Sequence, residues 1–312
     1  MSIKMVRREF LKQSAVFTAA CATTAGCRAL RSEPSQFPAY GKTLQDHLWM
    51  WGHDSGVYDG PNNPYNIPLS PPISMADAIQ YMGIPNVCAI RRGKPTTEYL
   101  QQFNSVKRVS WALCMSKRKD SEYADFKRDV FNLRDTLPNL TGYYLDDFFR
   151  LHGRPASEKD SENVPAPAGL SMDELIQLRA ELDAYPRRLE LAVVLYTREL
   201  GPAIRPAMQY MDTVSLWIWD GNDIQKIEEK FKRYRELVPD KPTLLGIYMW
   251  NFGGQKELEM SFMVKQLDYA LKLYKEGQIN GMIFHCTPLC NKGIAAVEYT
   301  KNWIAKHGGE KR

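Results

Sequence analysis

The stretch Gly142-Tyr143-Tyr144-Leu145-Asp146-Asp147-Phe148-Phe149 decides how this chain of 312 residues is interpreted. It has the pattern of an apolar, aromatic strand that ends in two adjacent carboxylates. Burying acid side chains among aromatic rings is unfavourable unless they are paired, hydrogen-bonded or hydrated. The pattern therefore predicts that this strand ends at an edge of the fold where charged groups have a function.

Short strand-like runs alternate with longer runs of helical periodicity from residue 47 onward. Strands are predicted at His47–Trp51, Asn86–Ile90, Val109–Cys114, Gly142–Asp146, Glu190–Tyr196, Thr213–Trp219, Thr243–Trp250 and Gly281–Cys286. Helices are predicted at Ser74–Met82, Thr97–Phe103, Glu122–Thr136, Met172–Tyr185, Pro202–Tyr210, Asp223–Leu237, Leu258–Glu276 and Ile294–Lys306.

Eight strand–helix units predict a single α/β domain over residues 47–312, closed as a (β/α)₈ TIM barrel. The alternative is an open, doubly wound sheet. No G-x-G-x-x-G or G-x-x-x-x-G-K-[ST] motif follows the first strand, which removes the usual nucleotide-binding reason for that fold. The strand ending in Asp146 and Asp147 is the fourth, so the pair is expected at the barrel mouth. The long connections 52–73 and 150–170 also leave strand C-termini and are expected to rise over it.

The first 27 residues have the pattern of a targeting segment, because Arg7-Arg8-Glu9-Phe10-Leu11-Lys12 resembles the twin-arginine export consensus. Thr24-Ala25-Gly26-Cys27 resembles a lipoprotein cleavage box, which predicts lipidation of Cys27 and a membrane anchor. Residues 28–46 are then a spacer. The expected location is outside the cytoplasm, in the periplasm or cell envelope.

Charge and cysteine content exclude several classes of function. Residues 1–26 carry four basic residues and one acidic residue, so their removal lowers the net charge from +5 to +2. No stripe of Lys and Arg with interleaved aromatic residues remains to predict nucleic-acid binding. Cys88 and Cys114 are expected to be small core residues. His285-Cys286 with Cys290 is too small a cluster to predict a metal site, and no cofactor is predicted.

The candidate site residues are the polar and aromatic side chains near the strand C-termini. Catalytic candidates are Asp147, Asp146, Asp220 and Glu199; binding candidates are His53, Asp54, Arg91, Tyr196, Trp217, Trp219, Tyr248, Trp250, Asn251 and His285. Sugars present apolar C–H faces that stack on aromatic rings, and hydrolysis of a glycosidic bond uses two carboxyl groups.

The two adjacent acids are not expected to form the catalytic pair themselves. Successive strand side chains point to opposite faces, so one Asp should enter the mouth while its neighbour packs behind it. If Leu145 faces the barrel interior, Asp147 is the inward residue. Its partner is then expected from another strand: Asp220 or Glu199 first, and Asp54 third.

Three strand ends resemble those of barrel-type glycoside hydrolases: Tyr-Leu-Asp-Asp-Phe-Phe at 144–149, Trp-Ile-Trp-Asp at 217–220 and Tyr-Met-Trp-Asn at 248–251. The resemblance implies a carbohydrate substrate, with an acid on the fourth strand and aromatic platforms on later strands. The chitinase-like D-x-x-D-x-D-x-E motif is absent, as is the Asn-Glu pair of the large retaining-glucanase clan.

Two other functions remain open at the level of sequence. One is a non-catalytic carbohydrate-binding barrel. The other is a metal-dependent sugar isomerase or hydrolase that uses His53, Asp54, His285 and one acid of the strand-four pair.

Overall fold

The structure is a computed structural model that describes residues 41–60, 63–91, 93–114, 120–149 and 170–312. The predicted leader with Cys27, most of the predicted spacer, Arg92 and the long connection 150–169 lie outside the described residues. The described part belongs to one compact unit, Ala39–Arg312.

Eight parallel strands form a closed barrel, which confirms the predicted (β/α)₈ fold. Each strand pairs with the next one in the chain, and β1 closes the ring on β8 with Trp51 opposite His285. The strands are β1 Leu48–His53, β2 Asn86–Ile90, β3 Arg108–Cys114, β4 Leu140–Leu145, β5 Glu190–Tyr196, β6 Thr213–Trp217, β7 Thr243–Tyr248 and β8 Gly281–His285.

Helices connect the strands and cover the outside of the barrel. The α-helices are α1 Met75–Met82, α2 Thr97–Leu100, α3 Asp120–Phe131, α4 Leu133–Thr136, α5 Met172–Asp183, α6 Arg205–Met208, α7 Ile227–Leu237, α8 Met260–Lys275 and α9 Ala295–His307. Short 3₁₀ helices extend several connections, among them Thr197–Glu199, Gly221–Lys226 and Thr287–Leu289. Among the described residues, no helix is both long enough and apolar enough to cross a bilayer.

Local signals in the sequence explain where several helices begin and end. Ser171 accepts a hydrogen bond from the Glu174 amide while the Glu174 carboxylate accepts one from the Ser171 amide, so both halves of a capping box are present at the start of α5. Gly83 ends α1 in the left-handed conformation, at φ 67°, where a side chain would be strained.

The alternation of side chains along β4 assigns the inner and outer faces of the barrel. The Tyr143 ring stacks on Phe131 of α3 at 5.1 Å, so it faces the helices. The Tyr144 ring meets Trp51 of β1 edge-on at 5.6 Å, across the barrel interior. Because the side-chain period of a strand is two, Leu145 faces outward with Tyr143.

The end of the barrel opposite the strand C-termini is closed by a polar plug. Arg108 is 7% exposed and donates from Nε to Asn86 Oδ1 at 2.9 Å. Its guanidinium also lies 4.8 Å from the centre of the Trp49 ring. Asn86 in turn donates to the Leu48 carbonyl.

The packed structure begins before residue 47. It reaches back to the 3₁₀ helix Leu44–His47, where Leu44 is fully buried.

One glycine allows a large ring to cross the barrel. Trp217 of β6 is buried and donates from Nε1 to Ser215 Oγ at 2.8 Å. Its ring lies over Gly246 of β7, where a Cβ would come within 2.2 Å of Trp217 Cδ2. A residue other than glycine at 246 would displace the tryptophan.

We expect Gly246→Ala to lower the free energy of unfolding by about 1–3 kcal/mol, because extra volume in a packed core forces neighbours out of position. The near-ultraviolet circular dichroism of the tryptophans should change with it. Gly309→Ala is the matched control, because nothing lies within 4 Å of the Cβ it would add. Equal stabilities of the two variants would contradict this account of the Trp217 contact.

Candidate active site

The C-terminal ends of the strands surround a cavity of about 430 Å³. This volume lies in the range of ~300–1,000 Å³ that is usual for small-molecule sites. Eight of the sequence-predicted site residues line it: His53, Asp146, Asp147, Tyr196, Trp217, Trp219, Tyr248 and His285. The lining residues that the sequence did not single out are Trp51, Val57, Tyr58, Pro64, Tyr65, Val194 and Phe252.

Both acids after β4 face this cavity, so the expectation that one of them packs behind the other is wrong. The strand ends at Leu145, and Asp147 takes a left-handed backbone conformation with φ 51°. That turn breaks the alternation and brings the second carboxylate to the same side as the first. The preference for Asp147 depended on Leu145 facing the barrel interior. Leu145 instead faces outward, so Asp146 is the acid that continues the inward alternation of Tyr144.

Two tyrosines lie beside the acid pair. Tyr196, the last residue of β5, donates its hydroxyl to Asp147 Oδ1 at 3.2 Å. Burial raises the pKa of both Tyr196 and Tyr248 well above the usual range, and the nearby carboxylates of Asp146 and Asp147 raise them further. Both phenols therefore remain protonated and can donate hydrogen bonds next to the carboxylates.

The floor of the cavity is a packed group of rings from β1, β6, β7 and β8. His285 stacks with Trp51 at 6.3 Å and meets Trp217 edge-on at 5.9 Å. The Tyr248 and Phe252 rings lie 5.0 and 4.6 Å from it. Strand register places these residues together, since Trp51 and Tyr248 are both direct partners of His285 across the ladder.

His285 is held in the neutral form. Burial lowers the pKa of its imidazole well below 6.5, and the neighbouring His53, with ring centres 5.5 Å apart, lowers it further. Its Nδ1 is buried and has no hydrogen-bond partner among the described residues. The floor of the cavity is thus aromatic and uncharged, whereas the acids lie at the end of β4.

The connection after β1 supplies one wall, as its position at a strand C-terminus predicted. Tyr58 packs edge-on against His53 at 5.7 Å, and Tyr65 packs edge-on against Phe252 at 5.0 Å. The Tyr65 ring also meets Trp219 at 6.0 Å. These contacts continue the aromatic lining from the barrel into the loop.

The acids proposed as partners from other strands lie elsewhere and do not line the cavity. Asp220 caps the 3₁₀ helix Gly221–Lys226 by accepting a hydrogen bond from the Asn222 amide at 2.9 Å. Glu199 is 2% exposed and accepts from the Tyr196 amide at 2.9 Å. Each carboxylate satisfies a backbone donor that the end of its strand leaves unpaired, which is why neither faces the mouth.

Asp54 and Arg91 pair with each other outside the cavity lining. Arg91 Nη1 lies 3.1 and 3.2 Å from the two Asp54 oxygens. The Tyr99 hydroxyl donates to Asp54 Oδ1 at 2.6 Å, and the guanidinium stacks 3.7 Å from the Tyr99 ring centre. Their charges therefore satisfy each other, and the expectation that both residues contact substrate stays a prediction.

Trp250 and Asn251 also have structural positions. Trp250 Nε1 donates to the Tyr65 carbonyl at 3.0 Å and so holds the loop that forms the wall. Asn251 Oδ1 accepts from the amides of Gly221 and Gly254 at 3.0 and 2.8 Å, which ties the loops after β6 and β7 together. Both support the site from behind its lining.

The described residues contain no group of three or more His, Cys, Asp or Glu side chains arranged to hold a metal ion. Cys286 and Cys290, the two cysteines of the small cluster with His285, are buried, and burial raises the pKa values of both thiols. Cys88 is also buried, as the sequence predicted, and Asp146 beside it contributes to raising its pKa.

The lining residues that the sequence did not single out can be recognised only from the three-dimensional structure. Trp51 lies near the C-terminal end of β1, with the same inward phase as His53. Tyr58 and Tyr65 belong to a loop whose path the chain alone does not specify.

The buried, neutral imidazole makes stability depend on pH. The unfolded chain binds a proton at His285 below about pH 6.5 and the folded protein does not. Stability should therefore fall as pH drops below 6.5, by about 1.4 kcal/mol per unit, until the lowered folded pKa is reached. His285→Phe should flatten this part of the profile, as measured by urea unfolding between about pH 5 and pH 8. Parallel profiles for the two proteins would show that His285 is not the titrating group.

The chain matches no protein-family model, and no curated protein matches it in sequence. Its fold is similar to that of solved glycoside hydrolases. The catalytic domain of a hyperthermophilic chitinase from Pyrococcus furiosus matches with a TM-score of 0.52 at 12% identity, covering 88% of this chain and 100% of that one. The GH99 endo-alpha-mannosidase from Bacteroides thetaiotaomicron matches with a TM-score of 0.51 at 9% identity, covering 85% and 98%. At these identities the likeness shows a shared TIM-barrel fold.

Proposed function

We propose that this protein is a glycoside hydrolase whose carbohydrate substrate binds in the aromatic cavity at the barrel mouth. The observation that carries the proposal is the placement of Asp146 and Asp147 together on the wall of a cavity lined by aromatic rings. An acid pair in a ring-lined cavity combines the two requirements of the reaction, a surface for sugar rings and carboxyl groups for bond cleavage.

The aromatic lining favours a sugar over a flat or strongly charged ligand. Trp219, Tyr65 and Tyr58 present rings around the upper part of the cavity, and Trp51 and Trp217 form its floor. The C–H faces of a pyranose pack on such rings. The hydroxyls of Tyr196 and Tyr248 add donors for the polar rim of the sugar, since both phenols are protonated.

The chemistry is assigned to the two acids of the β4 turn. Both side chains line the same cavity, and we assign them to one glycosidic bond. In this assignment one carboxyl group protonates the leaving oxygen, and the other is ionised and acts as nucleophile or activates water. Asp147, oriented by the Tyr196 hydroxyl, is assigned the ionised role and Asp146 the acid role.

The structural neighbours support the same class of reaction. The chitinase and the endo-alpha-mannosidase are both glycoside hydrolases with the same barrel. A barrel fold hosts many chemistries, so the support comes from combining the fold with the acids and rings at the mouth.

The test is turnover of a panel of 4-nitrophenyl glycosides and oligosaccharides by wild type, Asp146→Asn and Asp147→Asn. We expect each substitution to lower kcat/KM by about 10²–10⁴-fold, the usual contribution of general acid–base catalysis. Asp220→Asn is the matched control, because Asn also caps helices well and Asp220 does not line the cavity.

The control should keep wild-type rates. Wild-type rates in both β4 variants would remove the acid pair from the mechanism. If wild type binds glycans, measured by tryptophan fluorescence, but turns over none of them, the protein is a carbohydrate-binding barrel and the hydrolase proposal fails.

We also propose that the protein is exported and anchored to a membrane through Cys27, on the strength of the Arg7-Arg8 pattern and the box before the cysteine. Replacing Arg7 and Arg8 by Lys should leave the protein in the cytoplasm. Cys27→Ser should release it from the membrane fraction, measured by cell fractionation and immunoblotting. Unchanged membrane association of Cys27→Ser would rule out the lipid anchor.

A further inference from the structure

The loop after β1 is held over the cavity by a buried lysine that follows β8. Lys292 lies just past the 3₁₀ helix Thr287–Leu289, and its side chain is 2% exposed. Its Nζ donates to the Pro68 carbonyl at 2.7 Å and to Ser70 Oγ at 3.0 Å. Asp59 Oδ1 lies 3.4 Å away and forms an ion pair with it.

The three partners of Lys292 lie close in sequence to the two tyrosines that form the wall. Asp59 follows Tyr58 directly, and Pro68 comes three residues after Tyr65. One ammonium group therefore holds Asp59, Pro68 and Ser70 against the barrel. Contacts next to Tyr58 and three residues after Tyr65 reduce the conformational freedom of both side chains.

Other contacts from the β8 side reinforce the same attachment. Asn291 Nδ2 donates to the Pro71 carbonyl at 2.6 Å, and Ser70 Oγ lies 3.1 Å from Asn291 Oδ1. Thr287 Oγ1 donates to the His53 carbonyl at 2.9 Å. The segment 287–292 thus contacts the loop at its start and near its end.

The charge of Lys292 is the part that cannot be replaced by neighbouring contacts. A buried ammonium is stable only where its charge and its N–H donors are compensated, and among the described residues the compensation comes from the loop. Moving the loop away would break the ion pair with Asp59 and the two hydrogen bonds together. The loop and the lysine hence stabilise each other in one position.

We propose that Lys292 is a positioning residue for substrate: through Asp59, Pro68 and Ser70 it holds Tyr58 and Tyr65 in place as the sugar-binding wall. This inference rests on the proposed carbohydrate site. The acid pair follows β4, and none of these contacts reaches it. Lys292 consequently affects how tightly substrate binds rather than the bond-breaking step.

The test is Lys292→Met, which keeps the length of the side chain and removes the ammonium. With a glycoside that wild type turns over, KM should rise about tenfold while kcat changes less than about twofold, since uniform binding is lost. Amide hydrogen exchange in residues 54–73 should become about tenfold faster, and acrylamide should quench tryptophan fluorescence more strongly. The last two readouts need no substrate.

Lys241→Met is the matched control. Lys241 is half-buried and, like Lys292, donates from Nζ to a backbone carbonyl, that of Met211 at 2.7 Å, but it precedes β7 at the opposite end of the barrel. The Lys241→Met substitution should lower thermal stability without changing KM or amide exchange in the loop.

The proposal would be overturned if Lys292→Met and Lys241→Met showed equal amide exchange in the loop and equal acrylamide quenching, whatever the enzyme's activity. Faster exchange with an unchanged KM would also overturn it, since the wall would then not contribute to binding. Absence of turnover by wild type would instead contradict the proposed function, and the two substrate-free readouts would still decide whether Lys292 holds the wall.

Discussion

The arrangement of the mouth depends on where β4 ends. A strand continuing past Leu145 in the same alternation would direct one acid toward the helices, where α3 already packs its aromatic ring on Tyr143. The chain instead leaves the ladder and passes through a positive φ at Asp147. A non-glycine residue pays a conformational cost of about 1–2 kcal/mol in this region, which Asp tolerates better than most. Both carboxylates consequently face the same space, and the relative position of the two acids depends on one backbone turn.

The barrel could be predicted from the sequence because its signals are local and repeated. β2 and β5 have the predicted bounds, and each of the other strands differs by one to three residues in total at its two ends. The alternation of side chains along β4 could also be predicted, but not which set faces the barrel interior. Whether Leu145 or Tyr144 faces inward depends on which helix packs outside. That choice is made by the contact of Phe131 in α3 with Tyr143 in β4, which depends on how the helix packs on the barrel.

The candidate site was harder to predict because polar residues at strand ends have two uses. Asp220 and Glu199 have the residue type and the location expected of a catalytic partner, but each accepts a backbone hydrogen bond at the start of a 3₁₀ helix. Asp54 forms an ion pair with Arg91. Nothing in a single sequence distinguishes an acid that caps a turn from one that faces a cavity, since both follow a strand. The aromatic residues were easier, because rings at inward positions of neighbouring strands have few other places to pack.

The separation of aromatic floor, acid pair and loop wall has a physical consequence for catalysis. The floor is rigid because its rings are buried and Trp217 is fixed between Ser215 and Gly246. It is also uncharged, because burial keeps His285 neutral and the phenols of Tyr196 and Tyr248 protonated. Charge in a site of low dielectric acts strongly on nearby atoms, so the carboxylates that follow β4 face the cavity across a surface that does not screen them. The wall comes from the loop after β1, and among the described residues every partner of the Lys292 ammonium belongs to that loop. The wall is therefore held from β8, whereas the position of the two acids depends on the turn after β4, so the two parts of the cavity are fixed by separate contacts.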